Sequence, residues 1–121
     1  MSIKDELQKL ETRPWGGYIV LVDDEKYKVK KLIINPKKRF SLQFHKKRTE
    51  TWTVVKGKVE IILGDKKSVY SYGETISVPV GTVHRVENPG DETAEIIEVQ
   101  TGTYFGEDDI TRLEDDFGRV K

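Results

Sequence analysis

The 121-residue sequence has no cysteine, which excludes disulfides, thiolate metal sites and cysteine nucleophiles. It has no excess of either charge: 21 lysines and arginines balance 21 aspartates and glutamates, for a formal net charge of zero. A dedicated nucleic-acid binder would carry a basic surplus, so nucleic acid is not an expected partner. No apolar run approaches the roughly 20 residues of a membrane span. The charged start MSIKDELQKLE is unlike a secretory signal. The expectation is a cytoplasmic protein with no membrane partner. Histidine is scarce too: only His45 and His84 are present, so imidazole chemistry must run through those two positions.

What is present is 36% hydrophobic and 35% charged residues, enough to form a core beneath a heavily charged surface. A mass of 13.9 kDa suits a single domain over residues 1–121. From Trp15 onward, short apolar or alternating runs recur at 18–22, 27–34, 40–45, 51–55, 59–63, 68–72, 75–78, 83–87 and 94–100. Turn signals such as Asn35-Pro36, Lys56-Gly57, Gly64-Asp65 and Asn88-Pro89-Gly90 separate them. No connection is long enough for a crossover helix, so a parallel βαβ sheet is excluded. The pattern predicts an all-β sandwich or barrel of jelly-roll type. Ile3, Leu7 and Leu10 behind Ser2 predict a short N-terminal helix, and Ile110 and Leu113 predict a short C-terminal helical segment within 107–116.

Strand alternation in Phe40-Ser41-Leu42-Gln43-Phe44-His45 puts Ser41, Gln43 and His45 on one face and the three apolar residues on the other. Covering that apolar face calls for the N-terminal segment or a second subunit, and a homodimer is expected. Gln43, His45 and the following Glu50 can aim oxygen and nitrogen donors at one divalent ion. Taken alone, they fit a solvated strand end better. The second histidine closes the unit Gly73-x5-Pro79-Val80-Gly81-x2-His84-x3-Asn88, a strand–turn–strand in which Gly81 suits positive φ and Pro79 fixes the turn.

That unit resembles the second motif of the cupin superfamily, and Glu50 with Gly57 resembles the first. Lys37 stands where the first motif usually opens with glycine, and Gln43 replaces the first of its two histidines. SLQFHKKRTETW, VPVGTVHRVENPG and EVQTGTYFGEDDITR together resemble the type II mannose-6-phosphate isomerase domain. The likeness runs from Arg13-Pro14-Trp15-Gly16 to Asp116-Phe117-Gly118-Arg119. It implies a double-stranded β-helix with one divalent metal inside, held by Gln43, His45, Glu50 and His84. Zinc is the expected metal, with cobalt, manganese, nickel and iron left open. It also implies a phosphosugar substrate, interconversion of mannose 6-phosphate and fructose 6-phosphate through an enediolate, and a catalytic role for Arg48. In that family the domain usually follows a mannose-1-phosphate guanylyltransferase, for which 121 residues leave no room, so a stand-alone isomerase domain is expected.

Lys46, Lys47 and Arg85 are candidate phosphate contacts. Glu98 and the cluster Glu107-Asp108-Asp109 are acidic candidates for the base, none of them singled out. Trp15, Trp52 and Tyr104 are expected to pack rather than stack on sugar, and Trp52 shares the inward parity of Glu50. Three other readings compete: a non-haem iron oxygenase built on the two-histidine, one-carboxylate set, a non-catalytic sugar-binding cupin, and an isomerase of another phosphosugar or nucleotide-sugar.

Overall fold

The computed structural model describes residues 9–119. The chain runs through β1 (Leu10–Arg13), β2 (Gly16–Asp23), β3 (Tyr27–Ile34), β4 (Leu42–His45), β5 (Arg48–Lys56) and β6 (Lys58–Leu63). It continues through β7 (Lys66–Ser71), β8 (Thr75–Val78), β9 (His84–Glu87), β10 (Ala94–Gly102), a 3₁₀ turn at Glu107–Asp109, and β11 (Ile110–Glu114). A six-stranded sheet has the order β1-β2-β3-β10-β5-β8, and a five-stranded sheet the order β11-β4-β9-β6-β7. Pairing is antiparallel throughout both. Among the described residues no helix is long and apolar enough to cross a membrane.

Registered partners in a sheet share a face, so the rows across the six-stranded sheet reveal what it turns inward. One row is Tyr18–Leu32–Ile96–Val54, all buried. The next is Val20–Lys30–Glu98–Trp52–Ile76, and the one beyond carries Gln100–Glu50–Val78. The inner surface therefore changes from apolar to polar along the barrel. Ile34, Ile61, Val54, Val59, Val86 and Ile96 form the dry end with Trp52 and Phe40. Each aliphatic side chain buried there is worth about 1.5–3 kcal/mol relative to exposure. The polar rows hold the chemistry.

Two turn positions bear on the motif. Gly81 has φ +79°, as its place in the tight turn requires, and its N–H donates to the carbonyl of His45 at 2.7 Å. Lys37, which occupies a glycine position of the first motif, has φ +61°, a left-handed conformation that costs a side-chain-bearing residue about 1–2 kcal/mol. Its N–H donates to the Asn88 carbonyl and its Nζ to the Pro89 carbonyl, contacts that hold it there.

The structure departs from expectation at three places. The predicted N-terminal helix falls mainly outside the described residues, and its last part is strand: Leu10 and Glu11 belong to β1, paired with Ile19 and Tyr18. The turn at Pro14 folds that segment back onto an open sheet edge, which supplies hydrogen bonds that helical spacing cannot anticipate. The C-terminal helical segment shrinks to a single 3₁₀ turn, because Ile110 and the residues after it pair with β4. Phe40 lies inside the barrel, 5.5 Å from the Trp15 ring and 6.1 Å from that of Trp52. Regular alternation begins only at Leu42; before it, Phe40 N–H is drawn to the Val86 carbonyl. This leaves Leu42 and Phe44, both half-buried, on the outer face from which a homodimer was expected.

Candidate metal centre and its cavity

Three backbone segments deliver the polar cluster. β4 ends on His45, and the Lys46-Lys47 link is pinned by two backbone N–H bonds to the Asp109 carboxylate, at 3.2 and 3.0 Å. β5 then alternates Arg48, Glu50, Trp52 and Val54 inward, a period-two pattern visible in their burial. β9 opens on His84, held beside His45 by the Gly81 turn. His45, Glu50 and His84 each offer a ligating atom, and those atoms lie within 4.8 Å of one another. The two imidazole rings are 4.9 Å apart, centroid to centroid.

His84 Nδ1 donates to the Thr82 carbonyl at 2.9 Å, which fixes the proton on that nitrogen. Its Nε2 is buried, has no hydrogen-bond partner among the described residues, and stands 3.8 Å from Glu50 Oε1. A buried acceptor left open beside a carboxylate is costly unless an electron-pair acceptor completes it. Burial, then the positive charges of Arg48 and Lys30 and the neighbouring His84, hold His45 down to about 2. Burial holds His84 down to about 4. Both rings are thus neutral at pH 7, the form in which imidazole binds a metal. Two neutral imidazoles and a carboxylate fit a divalent ion once His45 Nε2, which accepts from Arg48 at 2.9 Å, gives up that contact.

Arg48 closes one side. Its Nε donates to Glu50 Oε2 at 2.8 Å, its Nη2 to His45 Nε2 at 2.9 Å, and its Nη1 to the carbonyls of Phe105 and Gly106. Burial works against its charge, but Glu50, Glu98 and Glu107 outweigh it and raise its pKa. Glu98 is held by Trp52 Nε1 at 3.0 Å and Gln100 Nε2 at 2.6 Å. Burial, reinforced by Glu50, pushes Glu98 up to about 8. Gln43 lies one strand from His84, in register with it, and its Oε1 accepts the Ser41 hydroxyl at 2.5 Å.

The cluster adjoins a cavity with about 480 Å³ of empty space, its open mouth included, with His45 and His84 behind its lining residues. Gln43, Arg48, Glu50 and Glu98 line it, together with Tyr18, Lys30 and Glu107. Half-buried Arg13, Arg112 and Arg119 stand at its rim. The structure thus gathers His45, Glu50 and His84, with Arg48 against them and Gln43 alongside. Lys46 and Arg85 do not line the cavity. Lys46 is exposed, whereas Arg85 faces away from His84 and is consumed by the Phe40 carbonyl and by Glu114. Trp52 is fully buried as expected, Trp15 packs in the core, and Tyr104 is 40% exposed with Lys47 over its ring. Sequence reading missed Lys30, Gln100 and the rim arginines. The available signal for Lys30 was its shared parity with Leu32 and Ile34, which places a lysine on an inward face.

The family described as mannose-6-phosphate isomerase C-terminal matches residues 4–115. The chain belongs to that family. It is 44% identical over 108 residues to the alginate biosynthesis protein AlgA of Pseudomonas aeruginosa, covering 89% of this chain and 22% of that protein. It is 40% identical over 111 residues to a mannose-1-phosphate guanylyltransferase of Sinorhizobium fredii, covering 92% and 22%. The chain therefore spans about a fifth of these relatives' length. Among solved structures, oxalate decarboxylase of Lactobacillus farciminis superposes with TM-score 0.77 at 18% identity, over 93% of this chain and 35% of that one. The Cnp3 cupin domain of Schizosaccharomyces pombe gives 0.72 at 13%, over 79% and 71%. The fold of this mannose-6-phosphate isomerase C-terminal domain is the cupin double-stranded β-helix.

Proposed function

We propose that this domain interconverts mannose 6-phosphate and fructose 6-phosphate with a divalent metal, zinc by preference, held by His45, Glu50, His84 and Gln43. The observation that carries the reading is the orphaned, buried Nε2 of His84 facing Glu50, itself a lining residue of the cavity, in a chain from this family. Bound there, the metal supplies Lewis-acid stabilisation of the charge that develops on the sugar oxygens. The protein's own part is positional. Arg48 orients Glu50 and presents a fixed positive charge to the same oxygens. Glu98, pushed up to about 8 on the cavity wall, takes the proton from one carbon through its ionised fraction and returns it to the next. Tyr18, Trp15 and Phe40 keep the inner wall apolar and limit water.

A coupled assay for fructose 6-phosphate tests this, run on chelated protein and after adding back zinc, cobalt, manganese, nickel or iron. Turnover restored by redox-silent zinc supports isomerisation and excludes an oxygenase. Sugar-phosphate binding without turnover under any metal overturns the enzymatic reading in favour of a binding module. His84→Ala should abolish metal uptake and Gln43→Ala should lower it. Arg48→Ala should lose activity, and Glu98→Gln should lose it while retaining metal. A homodimer is carried within the same proposal, and sedimentation showing a monomer at micromolar concentration would remove it.

A further inference from the structure

The charges around the cavity do not balance locally. Lys30 is paired with Glu107 at 3.1 Å, Arg48 with Glu50 at 2.8 Å, and Arg119 with Asp115 through both carboxylate oxygens. Among the described residues Arg13 donates to neutral oxygens, the Thr12 carbonyl and the Tyr18 hydroxyl. Arg112 goes further: its Nε is buried and has no hydrogen-bond partner among the described residues. Burial and the neighbouring Arg119 work against its charge more than Asp115 and Glu107 support it. A half-buried guanidinium with a desolvated N–H left open is costly, and an anion bound there would remove that cost. Arg13 and Arg112 come from β1 and β11, the edge strands of the two sheets, so the two cations flank the seam where the barrel opens.

The register fixes the distance from the metal centre. Arg112 is paired with Gln43, and Gln43 with His84, so the three share the inward face of adjacent strands. Two strand spacings place the Arg112 backbone roughly 10 Å from that of His84. That separation suits a ligand whose reacting carbons and terminal anion stand at opposite ends of a six-carbon chain.

We propose that Arg112 and Arg13 form the subsite for the terminal phosphate of the sugar phosphate, with Arg112 binding it through Nε–H and one terminal N–H as a fork. The assignment rests on the isomerase reading and adds to it the element that selects a phosphorylated sugar. It also replaces Lys46 and Arg85, whose side chains do not line the cavity, as the phosphate contacts. A fork of parallel N–H donors matches phosphate in a way that a lysine ammonium does not.

The test is calorimetric titration of the metal-loaded full chain with inorganic phosphate, mannose 6-phosphate and mannose. Arg112→Met, Arg112→Lys and Arg13→Met are compared with the parent, each with metal content and a thermal melt as folding controls. Arg112→Met should weaken phosphate and mannose 6-phosphate binding about tenfold or more, Arg112→Lys should recover only part, and Arg13→Met should weaken both severalfold. Mannose binding and metal content should not move. In the coupled assay KM should rise by a similar factor, with kcat within about twofold. Parent protein that does not bind phosphate, or Arg112→Met that binds it normally, overturns the subsite. Phosphate binding that depends on Arg112 without turnover by any metal supports the subsite while sinking the isomerase reading. Unchanged KM in an active Arg112→Met does the reverse.

Discussion

Removing either member of the Lys30–Glu107 ion pair should have very different consequences, because the two partners are unequally buried. Lys30 Nζ lies 3.1 Å from Glu107 Oε2, and the lysine side chain is 2% exposed against 39% for the glutamate. The ammonium also stands 4.2 Å above the Tyr18 ring. Glu107→Ala strands a buried cation whose remaining acidic neighbour is Glu98, in register on the adjacent strand. Breaking a fully buried pair from one side costs about 3–5 kcal/mol, and the exposure of Glu107 discounts this to about 2–3 kcal/mol. Lys30→Met fills nearly the same space without a charge. It leaves Glu107 within 3.6 Å of Arg48 and in contact with water, so the cost should stay below about 1 kcal/mol. The double variant should be more stable than Glu107→Ala alone, a coupling of about 2 kcal/mol. Urea denaturation of the four proteins, with a common slope, measures each quantity. Lys30→Met as costly as Glu107→Ala, or costs that simply add, would refute the reasoning.

Other outcomes can be checked in parallel. His45 and His84 have folded pKa values of about 2 and about 4, below the ordinary 6.5, so their contribution is complete above that value and is lost as pH falls toward 4. Each contributes a loss of roughly 1.4 kcal/mol per pH unit in that range. Glu98 acts oppositely: its raised pKa means stability is lost as pH rises from 4.5 toward 8. Metal-free protein should therefore be most stable near pH 6.5, and Glu98→Gln should extend the plateau to higher pH, as denaturation midpoints at several pH values will show. Lys37→Gly should exceed Lys37→Ala in stability by about 1 kcal/mol, since both lose the side-chain contacts and only alanine resists φ +61°. Ile96→Ala, at a fully buried site in the apolar row, should cost about 3 kcal/mol by chemical denaturation and leave metal content unchanged.

Most strands could be read directly, because period-two burial is a local property: the runs at 27–34 and 75–78 coincide with β3 and β8. His45, Glu50 and His84 were legible through their cupin-like motif spacing, since strand parity alone favoured a solvated strand end. Elements that depend on distant partners were not. β1 is a strand because β2 offers it an edge, and β11 because β4 does, neither of which is encoded in local spacing. Reading 107–116 as helix hid the significance of Arg112, since only a strand puts it on the same face as Ile110. Lys30 escaped notice because a lysine in a mixed run looks solvated, although its row neighbours Glu98 and Trp52 draw it inside.

The gradient along the barrel, from Tyr18–Leu32–Ile96–Val54 to Gln100–Glu50–Val78, separates foundation from workshop. One end anchors the molecule while the other can exchange its residues without undermining the anchor. A scaffold divided in this way can accept new substrates by altering a few side chains near its mouth.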